Sequence, residues 1–523
     1  MRAVHLVPAA AVLVALGAIG GVAQLGHPAT TQRPATLGPA SSAAAIRQVP
    51  VTSAARACPP VPGGGAAPVA LLAGGSGAGG SSPAGSNTAG HGPTGQRGQV
   101  ELTALPPVGL PVRAAGPVRA QSPGALALLT LPAAKAAGKQ AGQQATGQQI
   151  TGPVQGWSVA GGGAMSQGLE AELTQDSGLA SVRCAEPGSD LWFLGPGQQN
   201  GGSQVQLDLM NIDSLAASVD VSVITDAGQA QAGNDTGITV PPHQTVTESL
   251  SAVAHASAVI AIEVHTSIGR VAADVSEGPS HGTASWLPSA APPSTQLVIP
   301  GVSPSGSAAG LFIADPGTSS AKVTVAAVTP QGHYQPFGSQ SVDLPGQSAS
   351  YVALTPLGGT TAALQITSNV PVVAGVLVPG SGAGALTAAT APISEQAVVA
   401  GSTSGSGLAA SVVLSAPAAA ARVRLTEVAP ASRGGSSVSG SQVVSVKAGR
   451  TLVAPVTAPH GAKRGSAFSV VITPLPGSGP LYAARVETQG QNTVVSIIPA
   501  ASALTTISLP PVRDSYDAVS ARG

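Results

Sequence analysis

The stretch from Ser181 to Gly195, SVRCAEPGSDLWFLG, separates two kinds of sequence in this chain. It contains Cys184, one of two cysteines, and the adjacent aromatic residues Trp192 and Phe193. Upstream, long runs of Gly, Ala and Pro offer little side-chain volume to bury. Downstream, apolar residues alternate with polar ones, as they do in half-buried strands. We therefore place the start of the regularly patterned part of the chain at this stretch.

Downstream of this stretch, one strand–turn–strand pattern recurs three times. It begins at Leu207 (LDLMNIDSLAASVDVSVITDAGQ), at Leu311 (LFIADPGTSSAKVTVAAVTPQGH) and at Val412 (VVLSAPAAAARVRLTEVAPASRG). The period is roughly 100 residues, which is the size of one β-sandwich and too large for a propeller blade or a solenoid coil. The repetition predicts three consecutive β modules.

The predicted modules follow one another without long linkers. Module 1 covers residues 190–290, module 2 covers residues 291–390, and module 3 covers residues 391–512 with an extra C-terminal strand; residues 513–523 are a tail. Because an uncovered strand edge invites aggregation, we expect the extra strand to pair back onto an earlier edge. Seven strands per module with short turns favour an all-β fold of tandem immunoglobulin-like or fibronectin-like sandwiches.

The N-terminus carries an export signal. Residues 6–26 form an uncharged apolar run behind Arg2, and the run is long enough for a membrane-spanning helix. Gly21-Val22-Ala23 is also a small-x-small cleavage pattern. Residues 1–26 are therefore predicted to be either a membrane anchor helix or a cleaved signal peptide, and both alternatives place the rest of the chain outside the cytoplasm.

Two further segments precede module 1. Residues 27–99 are of low complexity, and their small side chains cannot offset the entropy of ordering the backbone, so they are predicted to be a flexible tether. Residues 100–189 mix strand-like runs with Gly-rich and Pro-rich interruptions, and we interpret them as a partly ordered, β-rich N-terminal segment.

The two cysteines, Cys58 and Cys184, are predicted to form a disulfide. An exported chain meets oxidising conditions, and two cysteines allow a single intramolecular pairing. The bond would join the tether to the start of the first predicted module.

Composition excludes several classes of partner. Charged residues make up 8% of the chain, with 22 basic and 22 acidic side chains. Nucleic-acid binding or a polybasic membrane patch requires clustered Lys and Arg, which this sequence lacks. The expected partners are an envelope protein or a cell-wall polymer, with contact to the membrane through the N-terminal helix and no nucleic acid.

The segment from Gly156 to Gly197, the ARACPP context of Cys58 and the following strands with their DPG-type turns resemble an uncharacterised family of exported actinobacterial proteins of unknown function. The resemblance covers most of the chain after the tether. It implies an envelope location and a cysteine pair, and it carries no catalytic residues.

Candidate chemical sites are weak. Ser280 lies in GPSHG, which matches the nucleophile-elbow pattern, but strands on both sides argue against the required strand-to-helix turn. Glu263 and His265 alternate along one strand and could share a metal, although no third ligand follows at a suitable spacing. A solvated strand face is the preferred interpretation for this pair.

Two further groups of residues resemble binding sites. Asp208, Asn211 and Asp213 are spaced loosely like calcium ligands, but an Asx-capped turn is preferred because the Gly and terminal Glu of an EF-hand are missing. Trp192 and Phe193 could stack on a sugar. We expect instead that one ring enters the core of module 1 while the other packs against the disulfide.

The sequence therefore predicts a non-enzymatic structural or interaction protein of the bacterial cell envelope, with no catalytic residue, metal or cofactor assigned. The alternative is a protein that binds or processes envelope glycans. That alternative requires exposed aromatic platforms and, for hydrolysis, paired carboxylates.

Overall fold

A computed structural model gives the structure of the chain. It describes the following residues: 47–61, 67–73, 98–109, 118–120, 124–131, 155–175, 180–198, 204–230, 236–278, 285–303, 308–336, 341–354, 359–380, 384–403, 407–432, 437–490 and 493–509. The predicted anchor or signal over residues 1–26 and the tail over residues 513–523 lie outside these ranges. Among the described residues, no helix has the length and apolar character needed to cross a membrane.

The described chain is almost entirely β, as the sequence predicted. The described residues between Gln48 and Ile507 belong to one compact unit. Helical structure in the described residues is limited to a 3-10 turn at Gly163–Met165 and the short helix α1 at Ser251–His255.

Strands are numbered in chain order. The first nine are β1 (Arg47–Pro50), β2 (Ser53–Cys58), β3 (Ala67–Leu72), β4 (Gln99–Ala104), β5 (Val118–Ala120), β6 (Leu126–Leu131), β7 (Trp157–Gly162), β8 (Glu170–Thr174) and β9 (Ser181–Arg183). Module 1 contains β10 (Asp190–Pro196), β11 (Gln204–Asn211), β12 (Ala217–Thr225), β13 (Gly228–Ala230), β14 (Ile238–Val240), β15 (Gln244–Ser249), β16 (Val259–Ile268), β17 (Ala272–Gly278), β18 (Ser285–Leu287) and β19 (Ser289–Ala290).

The remaining strands belong to the last two modules. Module 2 contains β20 (Ser294–Val302), β21 (Ala309–Asp315), β22 (Ala321–Val328), β23 (His333–Tyr334), β24 (Val342–Leu344), β25 (Ser348–Leu354), β26 (Ala362–Val378) and β27 (Ala385–Ala388). Module 3 contains β28 (Ala397–Ser402), β29 (Leu408–Ala416), β30 (Ala421–Ala429), β31 (Val438–Val446), β32 (Arg450–Val456), β33 (Phe468–Pro474), β34 (Tyr482–Gln489) and β35 (Thr493–Pro499), and it is followed by β36 (Thr506–Leu509).

The strand order of module 3 defines the repeat. One sheet has the order β28-β33-β30-β31 and the other has the order β32-β29-β34-β35. In terms of the eight strands of the module, the first pairs with the sixth, the sixth with the third and the third with the fourth. In the second sheet the fifth pairs with the second, the second with the seventh and the seventh with the eighth. Apolar side chains from both sheets form one core.

Modules 1 and 2 have the same strand order with small variations. In module 1 the fourth strand is split into β13 and β14, which both pair with β12. In module 2 the sixth and seventh strands are continuous as β26, a strand of 17 residues. Its first half pairs with β20 and β22, and its second half pairs with β21 and β27.

The N-terminal residues form a fourth copy of this arrangement, which the sequence did not reveal. Strands β2 to β9, here called the N-terminal module, give the sheets β2-β7-β4-β5 and β6-β3-β8-β9, in the same order as module 3. The prediction that residues 27–99 are a flexible tether is therefore wrong for β2 and β3. These two short apolar strands are paired with β7 and β8 and belong to a core, which offsets the entropy of ordering them.

The predicted disulfide joins the two sheets of the N-terminal module. Cys58 ends β2 and Cys184 directly follows β9; the two residues are bonded and fully buried. The adjacent residues Ala57 and Ala185 exchange two backbone hydrogen bonds of 2.8 and 2.7 Å. The bond therefore lies in the core of the module rather than between a tether and a module.

One kind of contact is repeated between successive modules. The first strand of a module packs against the second and seventh strands of the next module, as β10 does against β21 and β26 and as β20 does against β29 and β34. The apolar cluster of Ala57, Met210 and Ala272 makes the corresponding contact between the N-terminal module and module 1. Each module thus covers an apolar face of its neighbour.

The same contact closes a cycle of four modules. β28, the first strand of module 3, packs against β3 and β8, the second and seventh strands of the N-terminal module. Ala70 and Leu72 of the N-terminal module share an apolar cluster with Val398 and Ala400 of module 3. The modules therefore form a ring rather than a linear stack.

The C-terminal strand also pairs with an early strand, as we expected. β36 forms a two-stranded sheet with β1. Just inside this pair, the N–H of Val51 donates to the carbonyl of Thr505 at 2.9 Å, and the carboxylate of Glu395 accepts from the N–H of Thr505 at 3.0 Å. The two ends of the ring are therefore held together by backbone pairing as well as by packing.

We expect loss of the disulfide to destabilise the chain by about 4–5 kcal/mol in the loop-entropy model, because the bond restricts a long loop of the unfolded chain. The loop spans a sequence separation of 126 residues. Guanidinium unfolding of the double variant Cys58→Ser/Cys184→Ser measures this loss. Hydrogen exchange should also speed up in β28, which packs on the N-terminal module, while β22 of module 2 serves as the control. Equal midpoints and slopes for variant and wild type would contradict the prediction.

Candidate functional site

The interface where β28 of module 3 packs against β3 and β8 of the N-terminal module is here called the closing interface. It contains several buried charged side chains. Ala171 and Leu173 of β8, together with Leu169 directly before it, point into the core of the N-terminal module. Since side chains alternate along a strand, Glu170 and Glu172 point the other way, and both are almost completely buried. A charge at such a depth requires an opposite charge or hydrogen bonds.

Glu172 is paired across the interface with module 3. Nη1 of Arg485, on β34, lies 2.6 Å from Oε1 of Glu172, and the Arg485 side chain has 0% exposure. The other oxygen of Glu172 accepts the N–H of Gly401 at 3.0 Å. The approach is close, since a Cβ at position 401 would lie 3.0 Å from Cδ of Glu172 and the glutamate would have to shift.

Glu487 provides a second carboxylate for Arg485. Its Oε2 lies 3.7 Å from Nη2 of Arg485, and its Oε1 accepts the N–H and the hydroxyl of Thr403 at 2.7 and 2.9 Å. Burial raises the pKa of Glu487, and Arg485 opposes this rise without cancelling it. We call Glu172, Arg485 and Glu487 the closing cluster.

A second ion-pair network lies beside the closing cluster, within the N-terminal module. Glu170 accepts hydrogen bonds from Arg56 at 3.0 Å and from Arg183 at 2.8 Å. Burial alone would raise the pKa of Glu170, but the two guanidinium groups outweigh it and hold that pKa below its usual value. Arg183 stands opposite Glu172 in the β8–β9 ladder, which places the two networks side by side.

Module 1 contributes a pair of buried aspartates. Asp208 on β11 and Asp274 on β17 are directly opposite each other in the ladder, with 2% and 4% exposure. Burial raises the pKa of Asp208 to about 7. The hydroxyl of Thr247 donates a hydrogen bond of 2.6 Å to Asp208, and this bond opposes the rise. Burial and then the neighbouring Asp208 raise the pKa of Asp274 well above its usual value, while Arg183 lowers it. Both carboxyl groups therefore hold a proton more strongly than an exposed aspartate does.

The arrangement can hold modules together and exchange a proton. The closing cluster joins two modules by a desolvated ion pair, and the raised pKa of Asp208, about 7, allows this side chain to take up or release a proton near neutral pH. In the described part of the chain, no three His, Cys, Asp or Glu side chains are grouped so that they could hold a metal ion.

The three residues spaced like calcium ligands have separate roles. Asn211 donates to the carbonyls of Leu215 and Val240 and accepts the N–H of Asp213 at 2.9 Å, which is the preferred Asx turn. Asp213 pairs with Arg270 at the surface. Asp208 belongs to the buried aspartate pair.

Glu263 and His265 differ in exposure. Glu263 is half-buried on β16, where burial, followed by the nearby Asp190, raises its pKa; His265 is exposed. Ser280 lies outside the described residues.

The expected placement of the aromatic pair was half right. Trp192 and Phe193 are both buried in the cluster of module 1, which extends to Phe312 of module 2. The rings that share a cluster with the disulfide are instead Trp157 and Trp286. The reason is that β10 is an interior strand between β16 and β19 and both of its faces are covered, one by module 1 and the other by module 2.

Sequence reasoning missed the buried charges at this interface. A signal was present: in a chain with 8% charged residues, LEAELT and YAARVETQ place charges inside otherwise strand-like segments. That signal identifies unusual strands, but it does not identify the partner across the interface.

Removing Arg485 should be strongly destabilising, because two buried carboxylates would lose their counter-charge. We expect Arg485→Met to lower the free energy of unfolding by about 3–5 kcal/mol, and Arg485→Met/Glu172→Gln to recover part of this loss. Urea unfolding measures both. Arg270→Met, which breaks the exposed pair with Asp213, is the control and should cost less than about 1 kcal/mol. Equal effects of the buried and exposed changes would contradict the prediction.

The aspartate pair should make the chain less stable as pH rises. The pKa of Asp208 is raised from 3.8 to about 7 in the folded chain. The folded state therefore binds the extra proton between these values, and stability falls as pH rises through them.

We expect Asp208→Asn to leave stability near pH 4 unchanged and to raise it at pH 8 by roughly 1–4 kcal/mol. Urea unfolding at the two pH values tests this, with the exposed Asp343→Asn as the control. A variant that follows the wild-type pH profile would contradict the raised pKa of Asp208.

Comparison with known proteins gives a family. No curated protein and no solved structure matches the chain. One family model, described as a family of unknown function (DUF5719), matches residues 134–457, which include the last strands of the N-terminal module, all of modules 1 and 2, and module 3 as far as β32. The match covers more than half of the chain, and the protein therefore belongs to the DUF5719 family.

Proposed function

We propose that this protein is a non-enzymatic structural or interaction protein of the bacterial cell envelope, held outside the cytoplasm by its N-terminal segment. The observation that carries the proposal is the closed cycle of four β modules, with the ion pair of Arg485 and Glu172 buried where the last module meets the first. Buried charge is used here to join modules. Such a ring is suited to a rigid scaffold that presents its loops and strand edges to partners.

The disulfide supports export. Cys58 and Cys184 are bonded in the core of the N-terminal module, and such bonds persist in oxidising compartments. In this proposal residues 1–26 supply the signal or the membrane anchor. We infer that the modules are related to immunoglobulin-like sandwiches. The pairing of the second strand with the fifth and of the third with the sixth supports this relation, whereas the seventh strand differs, because it lies beside the second strand instead of the sixth.

The burial of tryptophan favours a structural role over glycan binding. The chain has three tryptophans. Trp157, Trp192 and Trp286 are 5%, 2% and 7% exposed, so these rings fill cores and are not presented as platforms for a sugar.

Export is tested with an epitope tag at the C-terminus. We expect antibody to label the tag on intact protoplasts, with lysed cells as the positive control and a cytoplasmic protein as the negative control. Labelling that requires lysis would overturn the extracytoplasmic assignment.

The type of partner is tested by binding to purified cell walls. If the ring contacts envelope protein, binding should disappear when wall proteins are removed by protease. Undiminished binding to protease-treated walls would instead support the glycan-handling alternative. The unfolded chain, reduced and denatured, controls for non-specific adsorption.

A further inference from the structure

The fourth strand of module 3 differs from its counterparts. β31 has nine residues, whereas β5, β13, β14 and β24 have three each and β23 has two. All of them are positioned beside the third strand of their module. Short edge strands are one of the ways in which proteins avoid unwanted pairing, and module 3 does not use it.

β31 also has no charged residue, no proline and no bulge, which are further features that protect an edge. Its sequence, VSGSQVVSV, contains no charged residue and no proline, and its ladder with β30 runs without a register shift from Val438 to Val446. In the part of the chain that the structure describes, β31 ends its sheet and pairs with β30 alone. By contrast, β32 at the edge of the facing sheet carries Arg450 and Pro455.

The pattern of exposed and buried side chains along β31 would allow another strand to be added to the sheet at this edge. Ser439, Ser441, Val443 and Ser445 are exposed, with Val443 at 50%. Val444 and Val446 pack on the core of module 3. A strand added at this edge must therefore place apolar residues on the core side and small polar residues on the outer side. β25, an uncharged edge strand of module 2, is already packed against module 1.

A second copy of β31 meets this requirement. If two chains pair antiparallel about a two-fold axis at Gln442, Ser439 faces Ser445, Ser441 faces Val443, and Val438 faces Val446. Each residue then stays on its own face of the sheet, and no charged side chains meet. Because one strand per chain takes part, the pairing closes at two copies.

We propose that this protein self-associates as a dimer through antiparallel pairing of β31 with β31 of a second copy, joining two four-stranded sheets into one of eight strands. The proposal goes beyond the proposed function, because the purified chain can self-associate whatever its cellular location. A nine-residue strand is about 30 Å long, so the contact is smaller than the roughly 1,200 Å² of a standard stable interface. The dimer is therefore weak and dependent on concentration.

Sedimentation velocity of the full oxidised chain, from micromolar to millimolar concentration, measures the association. The two key variants share one substitution, Val443→Glu, which is tolerated in the monomer because Arg424 is its neighbour on β30. In Ser441→Glu/Val443→Glu, the two-fold pairing places carboxylates opposite each other. In Ser441→Lys/Val443→Glu, it places Lys opposite Glu at the same two positions.

We expect the Glu/Glu variant to weaken the dimer by about tenfold or more and the Lys/Glu variant to restore it to wild-type strength or better. Circular dichroism melts establish that both monomers fold. Leu215→Lys/Ile268→Lys is the control, because Leu215 and Ile268 are the most exposed large apolar side chains described, at 77% and 66%, and lie on module 1. This variant should associate as the wild type does.

Three results would overturn the proposal. The wild-type chain could be monomeric throughout the concentration range. An extended segment of a different protein would then be the alternative partner for the β31 edge. The Glu/Glu and Lys/Glu variants could associate equally, which would exclude the two-fold register. Dissociation by Leu215→Lys/Ile268→Lys, with the β31 variants unaffected, would place the contact on module 1.

Discussion

The ion pair between Arg485 and Glu172 depends on residues that are far apart in the chain and lie on different modules. An isolated buried arginine or glutamate would be costly, and the attraction between them offsets this cost when the geometry is good and the remaining polar atoms find partners. For one oxygen each of Glu172 and Glu487, such partners are supplied by Gly401 of β28, the strand that packs on the N-terminal module, and by Thr403, which directly follows this strand. The closing interface is thereby specified by polar contacts as well as by apolar burial.

Closure of the ring gives every module apolar contacts with two neighbours, which add to the contacts within its own core. Aromatic residues make up 2% of the chain, so the cores consist mainly of Val, Ala, Leu and Ile, which bury less area per residue than aromatic rings do. The apolar clusters extend across module boundaries: the core of module 2 includes Val413 and Ala484 of module 3. In a ring every module has two neighbours, whereas a linear stack would leave the first and last modules with an uncovered face. Closure therefore compensates for thin cores.

The repeats explain why part of this fold was accessible from sequence. Alternating valines in module 1, as at Val219 and Val221, mark strands because side chains alternate between the faces of a sheet, and the recurrence of the pattern marks modules. The cysteine pair was predictable from number and compartment alone. The N-terminal module was missed because its strands extend from Ser53 to Arg183, a longer span than the period of the other modules, with Gly-rich and Ala-rich segments between them.

The sequence by itself determined the β character of the chain, its repeated strand pattern and the identity of the disulfide, since these depend on local alternation and on the number of cysteines. Tertiary structure alone decided which strands are neighbours across modules. The pairing of β2 with β7, the packing of β28 on β8 and the contact of Arg485 with Glu172 join residues distant in sequence. Backbone hydrogen bonding and desolvation act through space, and no local pattern at Glu172 records that its counter-charge is Arg485.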